Sequence, residues 1–348
     1  MGSSRRIAIV CEDAGAAAAL MPLVRKLRAA RGGVELFATG RAAELFASGG
    51  LSMQPPDALV LDGLGVLVTG TTAWGERVEA RAVVQARSRG VPSVSFVDFW
   101  SNYEARFRLE AERGLDALPD VIAVVDAPMR DALIALGLDS ARVVVTGSPA
   151  FDAASAAPPT THERQPHVLF LSQPLLALYG PPTSEAKHPV GYTEREVLTL
   201  LAAACAAEAI PLRVRPHPRE DVVALTAFVE PLPGGPRVTS EGRLADAVAL
   251  ARGVVAMTTA GLVEAALAGA TTLSIQPTDA PTVLPTIASG LTTLARDAQG
   301  IARWLAALPA ADAARTHVPA VVGTPAIDNL VSLVDSQLRD VSRGAIAS

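Results

Sequence analysis

Arg215-Pro216-His217-Pro218 closes the apolar run Ile210-Pro211-Leu212-Arg213-Val214. Further along stands Thr258-Thr259-Ala260-Gly261-Leu262-Val263-Glu264-Ala265. The first run is strand-like. Its two prolines fix φ and stop the strand, so a basic group and an imidazole project from a rigid corner. The second stretch follows another strand-like run, 253–257, and opens a helical pattern. Strands that end in such turns and pass into helices are the units of an α/β fold with a mainly parallel sheet. Backbone N–H groups at a helix N-terminus attract anions, and adjacent hydroxyls and cations add to the attraction. Together the two stretches point to a pocket for a phosphate or diphosphate.

The same alternation extends outward in both directions. In the first half, strands are expected at 6–11, 34–38, 65–68, 93–97, 121–125 and 143–146, with helices at 16–30, 42–47, 76–89 and 129–136. The stretch 151–165 is polar, proline-bearing and without period, and reads as a linker. The second half restarts with strands at 167–171, 212–215, 253–257 and 271–275, and helices at 193–208, 222–229, 245–252 and 262–268. Thr193 and Glu196 have the spacing of a capping box. Ile327, Leu330, Val331, Val334, Leu338 and Val341 share one face of a final helix. The expected plan is a first Rossmann-like domain over 1–152, a second over 166–326 and a terminal helix over 327–348 packing back across the domains. A cleft between the domains is expected, because ligands in open α/β sheets bind outside the carboxyl ends of strands.

Composition agrees with this plan. A chain of 348 residues is long for one domain. Half of the residues are hydrophobic, and the net charge of −5 comes with no dense Lys/Arg cluster, which argues against a nucleic-acid partner. Cys11 and Cys205 stand far apart with no ligand spacing, so neither a disulfide framework nor a zinc site is expected, and a reducing, cytoplasmic setting fits. No apolar run is long enough for a membrane span.

Each remaining motif has a functional and a plain reading. Thr258, Thr259 and Gly261 form either an anion-binding turn or an ordinary helix cap. Glu264 could accept from sugar hydroxyls or simply favour a helix start. Cys11-Glu12-Asp13-Ala14-Gly15 lacks the GxGxxG fingerprint but sets two carboxylates after the first strand. Glu12 and Asp13 are therefore candidate catalytic bases, with dipole stabilisation as the alternative. Asp98-Phe99-Trp100-Ser101-Asn102-Tyr103, with Arg106 beyond, gathers aromatics at a strand end and lines a ring pocket or packs as a wedge. Thr69-Gly70-Thr71-Thr72, with Glu76 and Glu79, is a weaker signal of the same form. Ser172 and Gln173 end the first strand of the second half, and the loop through Tyr179, Lys187, His188 and Tyr192 reads as a lid. His162 and His167 receive no role.

Taken in order, these segments resemble the GT-B superfamily of glycosyltransferases and the related UDP-N-acetylglucosamine 2-epimerases. Val145-Thr146-Gly147-Ser148-Pro149-Ala150-Phe151-Asp152 resembles the segment that ends the first domain in the epimerases and in lipid A disaccharide synthase. The Arg-Pro-His-Pro stretch is similar to the HP motif of bacterial transferases of this fold. Thr258, Thr259, Gly261, Glu264 and Ala265 resemble the segment that follows it. The resemblance implies donor-site roles for Arg215, His217, Thr258, Thr259, Gly261 and Glu264, with Ser172 and Gln173 beside them. Gly15, Thr71, Asp98, Trp100, Asn102 and Arg106 are then candidates for the acceptor side. Threonines replace the usual serine pair, and the epimerases' histidine-bearing segment is not evident in the first half.

The expected protein is a metal-independent glycosyltransferase using a UDP, CMP or CDP sugar as substrate and no cofactor. Its partners would be that nucleotide-sugar, a small-molecule or glycan acceptor and, in assembly, a second copy as a homodimer. An epimerase or hydrolase on the same scaffold, and a non-catalytic nucleotide-binding module, are the rival readings.

Overall fold

Ile7, Ala8, Ile9, Val10 and Cys11 are all fully buried. A strand covered on both faces needs such an unbroken apolar run, and parallel sheets supply the covering helices. In the computed structural model the described residues are 5–110, 114–156, 165–181, 189–310 and 325–344. They divide into two units, residues 1–153 with 321–348 and residues 154–320.

The first unit runs β1 (Arg6–Cys11), α1 (Ala14–Ala30), β2 (Val34–Ala38), α2 (Gly40–Ser48), β3 (Leu64–Thr69), α3 (Val78–Ser88), β4 (Ser93–Val97), α4 (Tyr103–Arg106), β5 (Val121–Val124), α5 (Ala127–Ala135), β6 (Val143–Val145) and α6 (Pro149–Ala156). Its six strands are parallel in the order β2-β1-β3-β4-β5-β6. Ala8 and Val10 of β1 meet Val78, Ala82, Val83 and Ala86 of α3 in one core layer. Helix α1 buries Leu20, Leu23, Val24 and Leu27, the stripe expected of an amphipathic helix.

The second unit runs β7 (Gln165–Leu171), α7 (Leu175–Tyr179), α8 (Glu194–Ala207), β8 (Leu212–Arg215), α9 (Val222–Val229), β9 (Arg237–Val238), α10 (Leu244–Leu250), β10 (Ala251–Ala256), α11 (Ala260–Leu267), β11 (Thr272–Ile275), α12 (Pro285–Ala288), β12 (Thr292–Ala295) and α13 (Ala298–Ala306). Its sheet is also parallel, in the order β12-β11-β10-β7-β8-β9. Val168 and Phe170 pack with Val197, Leu198 and Leu201 of α8 and with Ile301, Trp304 and Leu305 of α13. Gly253 makes that packing possible, because a Cβ there would sit 2.6 Å from Trp304. The capping box at α8 is present in full, with Glu196 N donating to Thr193 Oγ1 and Thr193 N to Glu196 Oε2.

The chain ends in α14 (Ala326–Gly344), which belongs to the first unit and lies against α1 and β3. A Cβ on Gly65 would lie 2.6 Å from Leu338, so the missing side chain seats this helix on the sheet. Ala326 N donates to Asp152 Oδ2 at 2.5 Å, Asn329 Nδ2 donates to Thr146 O at 3.1 Å, and Arg31 pairs with Asp335. The Thr146–Asp152 stretch is thus the dock for the terminal helix.

Two expectations are corrected here. The presumed linker from Phe151 is helical as far as Ala156, because Ser148 O accepts from Asp152 N and Phe151 stacks on Trp100. Strand β12 and helix α13 were not anticipated, although Asp297 caps α13 by accepting from Gly300 N. His162, Lys187 and His188 lie outside the described residues, and so does the side chain of Val341.

Candidate functional site

Each sheet has one place where neighbouring strands send their connections in opposite directions. In the second unit it lies between β7 and β10, and in the first between β1 and β3. Such a reversal opens a crevice at the carboxyl ends of the two strands.

At the β7/β10 reversal Gln173 faces Thr258. Thr258 N donates to Gln173 Oε1 at 2.7 Å, and Gln173 Nε2 donates to Thr258 Oγ1 at 3.3 Å. Thr259 caps α11, its Oγ1 accepting from Gly261 N at 3.3 Å. Gly261 serves packing, since a Cβ there would press on Leu244 and Leu171 at 3.2 and 3.3 Å. Glu264, one turn into α11, is partly buried, and burial pushes its carboxyl up to about 7.

The corner after β8 is held by Glu220, which sequence reasoning missed. Its Oε1 accepts from Ser172 Oγ at 2.7 Å and its Oε2 from His217 N at 2.6 Å. Burial raises the Glu220 carboxyl above its ordinary value. His217 Nδ1 accepts from Arg219 N at 3.1 Å, so in the neutral ring the proton sits on Nε2. Arg215 does not project freely as the sequence suggested. Its guanidinium donates to Glu241 O at 3.0 Å and Gly242 O at 2.7 Å, pinning the loop after β9. Other N–H groups of its planar fork remain as donors.

At the β1/β3 reversal the two candidate bases do different things. Glu12 is buried and its carboxylate takes the start of α3, accepting from Glu76 N at 2.5 Å and Val78 N at 3.2 Å. Gly75, at φ 102°, permits this approach, since a Cβ there would fall 2.1 Å from Glu12 Oε1. Asp13 is only partly buried and caps α1, accepting from Ala14 N at 2.8 Å. Beside Glu12 lies Glu79, whose Oε1 accepts from Glu12 N at 2.8 Å and whose Oε2 is buried without a partner among the described residues. Burial, with the charges of Glu12 and Asp13 adding to it, pushes Glu79 up to about 8. The carboxyl is therefore protonated at neutral pH.

Asp98, Arg106 and Thr71 form one connected group. Arg106 Nη1 donates to Asp98 Oδ1 at 2.7 Å, Thr71 O at 2.8 Å and Thr71 Oγ1 at 3.0 Å. Burial still raises Asp98 above the usual aspartate value, despite Arg106. Gly15 makes room for this carboxyl, because a Cβ there would lie 2.2 Å from Asp98 Oδ2. Trp100 is a packing wedge within the first unit. It stacks on Phe151 at 5.8 Å and donates from Nε1 to Asp126 at 2.8 Å. Asn102 stands at φ 58° before α4, its amide on Ser101 Oγ.

Among the described residues no group of three or more His, Cys, Asp or Glu could hold a metal ion. Among the described residues no helix is long and apolar enough to cross a membrane.

No family model matches this chain, and no curated protein matches it. Solved structures do. UDP-GlcNAc 2-epimerase from Methanocaldococcus jannaschii is 11% identical, with a TM-score of 0.64 over 95% of this chain and 99% of that one. The Neisseria meningitidis UDP-GlcNAc 2-epimerase bound to UDP-GlcNAc is 12% identical, with a TM-score of 0.63 over 95% and 100%. The glycotransferase of kitacinnamycin is 14% identical, with a TM-score of 0.52 over 98% and 96%. The chain has the GT-B fold: α/β, with two six-stranded parallel sheets, flanking helices and a C-terminal helix.

Proposed function

We propose that this protein is a nucleotide-sugar enzyme, and specifically a glycosyltransferase. The observation that carries the reading is the Gln173–Thr258 bridge. It holds a threonine hydroxyl and the capped start of α11 at the strand-order reversal of the second sheet. Backbone N–H groups there, with His217 Nε2–H and the remaining donors of Arg215, take the phosphate groups of a UDP, CMP or CDP sugar. Glu264 accepts from the donor's hydroxyls. In the transfer step the bond between the anomeric carbon and the phosphate oxygen breaks, and the nucleotide leaves with the electron pair. A bond forms from the acceptor oxygen to that carbon, and the acceptor's proton passes to a carboxylate base. Asp13 is preferred to Glu12 as that base because it is only partly buried, whereas Glu12 is buried. Donors already aimed at the leaving group stabilise its charge without reorganisation.

A second reading, nucleotide-sugar 2-epimerisation, is favoured by the higher TM-scores of the epimerase structures. One experiment separates the two. Calorimetry of UDP, CMP, CDP, GDP and dTDP against wild type and His217→Ala identifies the base. The corresponding nucleotide-sugar is then followed by proton NMR with no acceptor. A new sugar isomer overturns the transferase reading, and a donor that stays unchanged until an acceptor is added supports it. No binding of any nucleotide overturns both.

A further inference from the structure

Arg213 on β8 and Arg237 on β9 are direct partners in the parallel ladder. Their side chains therefore leave the same face of the sheet side by side. Like charges placed directly opposite each other are destabilising. Neither guanidinium forms a hydrogen bond or ion pair with any described residue. Both line a depression of about 380 Å³ together with Thr239, Ser240 and Glu241. Its single lining carboxylate leaves a net positive charge. Two strand positions before Leu169, the β7 partner of Arg213, His167 is buried with Nδ1 unpartnered. Burial, and secondarily the charge of Arg213, pushes this imidazole down to about 4.

A charged residue on an edge strand commonly serves to block edge-to-edge association. That accounts for Arg237 on β9. It does not account for the half-buried Arg213 on the inner strand, set against a second cation with no ion pair from either to a described residue. We propose that the β8–β9 edge is an anion site that binds the phosphate group of a small phosphate monoester through Arg213 and Arg237, with the Thr239 and Ser240 hydroxyls as further donors. Paired guanidinium groups match phosphate oxygens in geometry as well as charge. The site does not depend on the nucleotide reading, because neither Arg213 nor Arg237 belongs to the proposed donor pocket.

The test is a phosphorus NMR titration with inorganic phosphate at constant ionic strength, on wild type, Arg237→Ser, Arg213→Gln and His217→Ala. Thermal melting in chloride buffer runs alongside it. Arg237 is exposed, so its replacement leaves folding intact. The expected result is a phosphate site that His217→Ala retains and that each arginine variant weakens roughly tenfold or more, the loss of charge-assisted hydrogen bonds. In chloride, Arg237→Ser melts no lower than wild type, since a repulsion has been removed. The proposal is overturned if wild type does not bind phosphate, or if Arg237→Ser binds it as wild type does. Binding lost with His217→Ala and kept in Arg237→Ser overturns it too, by assigning the phosphate to the nucleotide pocket.

Discussion

Gln173 and Thr258 exchange two hydrogen bonds across the strand-order reversal of the second sheet, at 2.7 and 3.3 Å. A side chain must both accept and donate to do this, and an amide does. Gln173→Ala should lower stability by about 1 kcal/mol and weaken nucleotide binding roughly tenfold. Gln173→Glu keeps the acceptor but brings a charge towards an anion, so it should bind nucleotide more weakly than Gln173→Ala. Calorimetry and thermal melting read both effects. Unchanged affinity in Gln173→Ala would detach the bridge from ligand binding.

The neighbouring carboxylates Glu12 and Asp13 should separate in their effects. Glu12→Gln removes the charge that receives two backbone N–H groups of the α3 start, and should cost about 1–3 kcal/mol. Asp13→Asn keeps a capping oxygen at α1 and should leave stability near wild type while turnover falls by roughly a hundredfold or more. Denaturant melts and single-turnover rates test the pair. The assignment of Asp13 as the base would be abandoned if Asp13→Asn turned over at the wild-type rate.

Glu79 makes stability depend on pH. Its folded-state value is raised to about 8 from an ordinary 4.5, so the folded chain holds a proton that the unfolded chain has released. The contribution is fully present below about 4.5, declines as the pH rises, and is lost once the pH passes about 8. Glu79→Gln cannot ionise. Its stability relative to wild type should therefore climb between pH 5 and pH 8, by about 1–3 kcal/mol. Urea midpoints at the two pH values decide the matter; a difference that does not change with pH means that Glu79 is not held protonated.

Glu264 titrates where a pH profile can see it. Burial places it at about 7, with no other cause contributing. If its carboxylate accepts from donor hydroxyls, affinity for the nucleotide-sugar should rise as the pH increases through 7. Glu264→Gln should flatten that rise while leaving affinity for the bare nucleotide unchanged. A profile identical to wild type in the variant would remove Glu264 from the donor site.

Most strands and the larger helices were legible because their signals are local. The apolar run at β1, the helical stripe of α1 and the Thr193/Glu196 box at α8 can each be read within a few turns of chain. Candidate turns were legible as well, since Pro216, Pro218 and Gly261 punctuate strand ends. Glu220 was not. It is one acid in a polar turn, and what marks it is the Ser172 hydroxyl that it receives from β7. Glu79 is legible only as part of the weak strand-end signal with Thr69–Thr72 and Glu76, because its backbone contact comes from Glu12 on another strand's loop. Strand β12 was missed because Thr292-Thr293-Leu294-Ala295 carries little apolar signal until β11 lies beside it.

The sequence alone therefore determined the alternation of strand and helix and the turns that end the strands. Periodicity, proline, glycine and capping residues act over short spans and need no partner. Tertiary structure alone decided which turns meet. β7 and β10 each present a buried apolar run like that of other strands, so nothing local tells the two to lie side by side. That choice, made by packing, sets Gln173 against Thr258, commits Glu12 to α3, and leaves Arg213 facing Arg237.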